Sequence, residues 1–184
     1  MPITVVDPMA ALVVVDLQVA TTSNRTVHPI ADVVQRAAQL AAAFRDRALP
    51  VVLATARLDA PPPGRTQLGG NRPPVPAEAL ALVDGLAVQP TDLRVEHHGW
   101  SAFGGTTLGD DLRALGVTQV VLVGLATSYG VESTARDAYD AGFHVVVPVD
   151  ATTDLTEDGY RHSCERVFPV LGETTTTEDV LAAL

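Results

Sequence analysis

The chain reads as a Rossmann-like three-layer α/β/α protein, with a parallel sheet covered by helices on both faces. Three observations lead there. Short apolar runs alternate along the chain with segments of helical period, the pattern of β-α-β units. Runs such as VVLATA (51–56) and QVVLVG (119–124) are apolar almost throughout, as strands buried on both faces must be. The length, 184 residues, suits one domain with one substantial core, spanning 1–184.

The elements follow in order. Ala11 to Val15 is a buried strand ending in Asp16. Ile30, Val33, Val34, Ala37, Leu40, Ala41 and Phe44 then share one helical face. VVLATA after Pro50 is the second strand. Residues 57–76 are rich in Pro and Gly and too polar for core, a loop long enough to serve as a lid or binding loop. LRVEH (93–97) is a third strand, Thr106–Leu115 a helix stopped by Gly116, and QVVLVG the fourth strand. Gly130–Ala141 is a helix stopped by Gly142, and HVVVPVD the fifth strand. A helix over 157–168, a short strand and a last helix capped by Thr176 or Thr177 complete the chain.

Composition excludes several functions. Net charge is −10 and the pI about 4.7, so the surface repels phosphate backbones and no nucleic-acid partner is expected. All 12 basic residues are Arg, which removes any mechanism needing a lysine, whether Schiff base or P-loop. A single Cys rules out an internal disulfide framework and a four-thiolate metal site. The N-terminal apolar stretch lacks a basic flank and is broken by Asp7 and Asp16. It reads as neither signal peptide nor membrane span, and the cytoplasm is the expected location.

In such sheets ligands bind beyond the carboxyl ends of the strands, at the switch point. That rule selects Asp16, Ala56–Asp59, Glu96–Gly99, Leu125–Gly130 and Asp150. Asp16 is either a turn residue or a general acid or base, since burial moves a carboxyl pKa toward neutrality. His97 and His98, in EHHGWSAFGG, are either solvated or site residues. His28, His144 and His162 are too scattered to complete a metal site, so no metal and no cofactor is expected. Gly130, at a helix start, leaves backbone N–H groups that can hold an anion. Thr127, Ser128 and Ser133 lie outside any G-x-S-x-G elbow. Cys164, in RHSCERVFP, reads as a packing residue rather than a nucleophile.

VVVDLQ, HHGWSAFGGTTL, VVLVGLATSYGVESTARDAYDAGFHVVVPVDA and HSCERVFPVLGETTTTEDVL together resemble the isochorismatase-like (cysteine hydrolase) superfamily along nearly the whole chain. The resemblance implies a six-stranded parallel sheet, here of order 3-2-1-4-5-6, in an oligomer, a homodimer or homotetramer. It implies a site of Asp, Lys and Cys, falling on Asp16, His97 and Gly130. Two of these three positions are therefore changed. It also implies a cis peptide between Leu125 and Ala126, orienting amides at Leu125, Ala126 and Gly130 toward an oxyanion or anion. Trp100, Phe103, Ser128 and Tyr129 would wall the pocket.

Acyl transfer through a thioester needs sulfur at position 130, and glycine has none. The resemblance to true isochorismatases, which carry Gly there, implies vinyl-ether hydrolysis by a protonated Asp16 instead of amide hydrolysis. The expectation is thus a hydrolase acting on a small anionic metabolite by cysteine-independent acid/base chemistry, with His97 in the lysine's place. The alternative is a degenerate, non-catalytic member that binds a small molecule or a protein. If neither histidine meets Asp16, Arg57 or Arg65 is the remaining cation to consider.

Overall fold

The computed structural model describes residues 3–61, 64–67 and 75–184, so much of the predicted 57–76 loop lies outside the described residues. Its centre is strand β1 (Ala10–Val15), flanked by β2 (Val51–Ala56) and β4 (Gln119–Leu125). β3 (Leu93–His97) pairs beyond β2, while β5 (His144–Pro148) and β7 (Glu173–Thr175) continue the other side. Every pairing is parallel. The path matches the predicted order, with one addition, a two-residue strand β6 (Thr152–Thr153) that pairs with Gly124 and Leu125. Pro148 accounts for it. Proline has no N–H to continue the ladder, so the chain leaves β4 in a short turn (Val149–Ala151) and then rejoins it.

All six residues of β1 are fully buried, and their alternation sorts them into two cores. Ala10, Leu12 and Val14 pack with Val33, Ala37, Leu40 and Phe44 of a long helix (Ile30–Asp46) and Val180 of the last helix. Ala11, Val13 and Val15 pack with Leu108, Leu112, Ala135, Ala138 and Phe168 on the opposite face. In chain order the helices are α1 (Val19–Thr22), α2 (Ile30–Asp46), α3 (Leu108–Ala114), α4 (Glu132–Asp140), α5 (Glu157–His162), α6 (Phe168–Leu171) and α7 (Thr177–Ala183). Among the described residues, none is long and apolar enough to cross a membrane.

The local stop and start signals act as expected. Gly116 and Gly142 follow α3 and α4 with φ of 74° and 89°, left-handed values that glycine adopts freely. Thr176 caps α7, its hydroxyl accepting from Asp179 N at 3.2 Å. Asp150, in the short turn after β5, links two helices. It accepts from Thr177 N at 2.8 Å and pairs with Arg36 at 3.2 Å, tying α7 to α2.

The helix read as Gly130–Ala141 begins earlier, in a wide turn over Thr127–Val131 that runs into α4. The cause is remote in sequence. The fully buried Asp154 presents its carboxylate to the Ser128 N–H at 2.5 Å and caps the turn from β6's side of the sheet. The segment read as one helix over 157–168 is likewise interrupted, by a wide turn at Ser163–Val167.

β4 approaches β1 most tightly at Gly124, paired with Val15. A Cβ there would lie 2.1 Å from the Val15 carbonyl oxygen, and φ is 122°. Backbone strain and overpacking each cost about 1–3 kcal/mol. Gly124→Ala is therefore expected to lower the unfolding free energy by about 2–5 kcal/mol in urea titrations. A change within about 0.5 kcal/mol, typical of an indifferent surface site, would contradict this packing.

Candidate active site

Asp16 leaves β1 in a left-handed conformation, φ 53°, which costs a non-glycine residue about 1–2 kcal/mol and which Asp tolerates better than most. The surroundings hold it there. Its N–H donates to Ala54 O at 3.0 Å, and its carbonyl accepts from the Thr21 hydroxyl. The residue is only 8% exposed.

Its partner comes from β3, two strands away and roughly 10 Å across the sheet. His97 ends that strand with its imidazole fully buried, and Nε2 lies 2.9 Å from Asp16 Oδ1. Residue 97 is in register with Ala56 of the intervening β2, so both side chains point to the same face. Alanine at 56 leaves the ring room to cross. His98 is exposed, as the alternation along an extended segment requires.

The second ring nitrogen identifies the tautomer. Nδ1 is 2.9 Å from the Gly99 carbonyl, which can only accept, so Nδ1 carries a proton. The ring therefore exchanges its other proton with Asp16 at Nε2. Burial raises the Asp16 carboxyl pKa, with the His97 hydrogen bond and charge opposing. For His97 burial acts to lower the pKa, but the hydrogen bond to Asp16 and its charge prevail, and the result is a raised value. Both groups thus retain protons to higher pH than usual.

Gly130 is buried beside this pair. A Cβ at that position would stand 3.2 Å from Asp16 Oδ2, 3.1 Å from Val15 Cγ1 and 3.3 Å from the Leu125 carbonyl. Oδ1 is thus engaged by His97, and Oδ2 faces the place where other side chains would begin. The Leu125–Ala126 peptide is cis. Ala126 O accepts from both Tyr129 and Val131 N–H at 3.1 Å, which folds the turn around Gly130. The buried Thr127 hydroxyl in this turn has no partner among the described residues.

The expected pocket residues divide. Trp100 and Tyr129 are exposed and meet edge to face, ring centroids 5.0 Å apart. Phe103 is half-buried, its ring against Phe143 with centroids 5.8 Å apart, at the margin of the cluster beneath α3 and α4. Ser128 is also half-buried; its amide donates to Asp154 and its hydroxyl lies beside Gly159 of α5. Arg57 does not meet Asp16; it is exposed and pairs with Asp59 at 3.1 Å and Glu96 at 3.9 Å. Arg65 is exposed. Cys164 is half-buried in the wide turn after α5, its thiol pushed up to about 11 by burial.

Two residues that the sequence reading passed over complete the site's frame. Gln18, 1% exposed, accepts from Ala56 N at 2.9 Å and donates to Leu80 O at 2.8 Å, clamping the end of β2 to the 77–80 turn. A polar residue two positions after Asp16, closing a fully apolar strand, was its available signal. Asp154, which caps the Gly130 turn, carried no local signal.

With this geometry established, relatives can be placed. The family model for the Isochorismatase domain matches residues 10–179. The uncharacterized isochorismatase family protein YecD of Escherichia coli O157:H7 is 34% identical over 187 residues, covering 95% of this chain and 95% of its own. An isochorismatase family protein from Burkholderia thailandensis superposes with a TM-score of 0.93 at 39% identity, over 100% of this chain and 98% of that one. N-carbamoylsarcosine amidase from Thermoplasma acidophilum superposes with a TM-score of 0.79 at 27% identity, over 92% and 97%. Sheet order, the matched span and these likenesses agree, and the chain belongs to the isochorismatase family of hydrolases.

Proposed function

We propose that this hydrolase acts on a small metabolite without a covalent cysteine intermediate, Asp16 serving as acid and base with His97 as its partner. The observation that carries this reading is the Asp16 Oδ1–His97 Nε2 contact of 2.9 Å, with Nδ1 committed to the Gly99 carbonyl. Oδ2 is the working oxygen, because Oδ1 is occupied. With the Nδ1 proton committed, a proton on Oδ2 and a hydrogen bond at Oδ1 coexist only when Nε2 is protonated as well. The acid is therefore a carboxyl group beside an imidazolium. After proton transfer it becomes a carboxylate–imidazolium pair, which the short contact stabilises.

Vinyl-ether hydrolysis fits this acid better than amide hydrolysis. Asp16 gives its proton to the vinyl carbon, and the C=C electron pair forms the new C–H bond, leaving an oxocarbenium carbon. Water adds to that carbon and returns a proton to Asp16. The hemiketal then breaks its C–O bond, releasing an alcohol and a carbonyl product. No side chain attacks, as position 130 requires. The amides at Ala126 and Gly130 are assigned to an anionic group of the substrate, next to the imidazolium. The proposal extends to a cytoplasmic homodimer or homotetramer without nucleic-acid or membrane partners, which fits a chain of net charge −10.

A vinyl-ether, amide and lactone screen supplies the assay. Asp16→Asn is expected to lower kcat/KM by about 10²-fold or more with the fold intact. His97→Ala should also impair turnover, His97→Lys should retain it, and His98→Ala should matter little. An unaffected Asp16→Asn variant would overturn Asp16 as the acid, and no turnover of any class in the screen would leave the non-catalytic binding reading instead.

Thiol chemistry is tested separately. Cys164→Ser and treatment with iodoacetamide should both leave turnover nearly unchanged. Inactivation in step with labelling of Cys164 would overturn the cysteine-independent mechanism.

The proton held by the pair also links stability to pH. Both pKa values lie above the ordinary 3.8 of Asp and 6.5 of His, so the folded chain keeps protons that the unfolded chain has released. The pair's contribution is complete below those ordinary values and is lost as pH rises through the folded ones. Above pH 6.5, where unfolded His is neutral, the loss should reach about 1.4 kcal/mol per pH unit until the folded pair releases its proton. Urea titrations of the wild type against an Asp16→Asn/His97→Gln double variant should show the wild type losing ground across that window. Parallel curves would exclude a retained proton.

A further inference from the structure

Thr134 forms no hydrogen bond with Asp16 or His97, yet it ties together the two segments that build their site. It lies in α4, four residues on from Gly130, and both residues are buried. Its hydroxyl accepts from the Ala102 N–H at 3.1 Å. Ala102 belongs to the loop after β3, the loop that His97 opens, and is itself fully buried.

The bond matters because that loop has few others. The Gly99 carbonyl accepts from His97 Nδ1, and the remaining bonds close the loop on itself. The Phe103 N–H donates to the Ser101 hydroxyl at 3.1 Å, and the Thr106 hydroxyl donates to the Ala102 carbonyl at 2.7 Å. Among the described residues, Thr134 is thus the only hydrogen-bond partner that residues 98–105 find beyond β3 and the loop itself. The loop also lies directly on α4, since a Cβ at Gly104 would stand 3.7 Å from Asp137 Oδ2. A buried N–H without an acceptor is costly, so the loop cannot leave Thr134 freely.

The path from this anchor to the chemistry is short. Only Trp100 and Ser101 separate Gly99 from Ala102. The Gly99 carbonyl holds the Nδ1 proton, and that hold decides that Nε2 is the nitrogen facing Asp16. A loop released from α4 would carry the Gly99 carbonyl with it.

We propose that Thr134 is a positioning residue for His97: by anchoring Ala102 to α4 it keeps the Gly99 carbonyl on Nδ1, and it makes the loop after β3 move as one body with the Gly130 turn. This rests on the acid/base reading above and adds the residue that maintains the partner's tautomer.

Exchange of the His97 Nδ1 proton with solvent tests this in protein labelled with 15N-histidine, the signal being identified by its loss in His97→Gln. Thr134→Val keeps the shape of the side chain and removes the acceptor. It should speed exchange of that proton by about 10-fold or more, as expected when one buried donor loses its partner. Thr134→Ser keeps the hydroxyl and should stay within about 3-fold of the wild type. Thr176→Ala removes the cap of α7, away from the site; it should lower stability and leave this exchange unchanged.

An Nδ1 proton indifferent to Thr134→Val, or released as much by Thr176→Ala, would overturn the positioning role. If Thr134→Val does not fold, the wild type decides. One opening of the loop should release the Ala102 amide and the His97 Nδ1 proton together, their protection agreeing within about 3-fold as urea is raised, and independent exchange would overturn the proposal. A wild type with no protected Nδ1 proton would overturn both this role and the acid/base pair. None of these readouts needs a substrate. The positioning role therefore fails alone if the proton ignores Thr134 while Asp16→Asn still removes turnover. The acid chemistry fails alone if the proton follows Thr134 while Asp16→Asn leaves turnover unchanged.

Discussion

A carboxyl group that is almost entirely buried must either keep its proton or find a charged partner, and the arrangement around Asp16 provides for both. His97 reaches it from a strand that is not β1's neighbour, across an alanine that leaves the way clear. The bond exists only if β1, β2 and β3 end at the same level, because the imidazole has no reach to spare. The register therefore matters as much as the residues. Val15 pairs with Ala54, and Ala56 with His97, so the strand ends form one edge. Gln18 holds that edge by binding both the Ala56 backbone and the 77–80 turn.

The other half of the site is set by close approach. Gly124 brings β4 against β1 more tightly than any side chain would permit, and the chain then turns through the cis Leu125–Ala126 peptide. That turn places Gly130 over Oδ2. Its N-terminal amide is bound by Asp154, a carboxylate supplied from beyond β6. The turn is thus braced from two sides, and the absence of a side chain at 130 becomes usable space rather than slack. A chain with no lysine and a single protonated thiol on α5's side can still present a proton and a place to deliver it.

Much of this was legible in the sequence. Unbroken apolar runs identify doubly buried strands, and the segments of helical period between them identify crossovers, because both patterns follow from local geometry. The strand ends then shortlist the stretches that hold Asp16, His97 and Gly130, since parallel sheets open their binding edge there, and the family resemblance singles out those three. Gly116 and Gly142 are read correctly, and the cap of the last helix is narrowed to Thr176 or Thr177, for the same reason: their roles involve only a few neighbouring residues.

What the tertiary structure alone decided depends on pairs far apart in the chain. No local pattern tells whether His97 or His98 turns inward, whether Nδ1 or Nε2 faces Asp16, or that the two meet at all. Those follow from register across three strands. The wide turn at Thr127–Val131, the capping of it by Asp154, and the return of β6 after Pro148 are likewise products of long-range contact. Phe103 and Trp100 show the limit most clearly. They are alike in chemistry and three residues apart, yet one ring is half-buried against Phe143 and the other is exposed beside Tyr129. Sequence determined that this loop would carry aromatics beside the site; only packing, which depends on the space the other face of the sheet has left, assigned each ring its side.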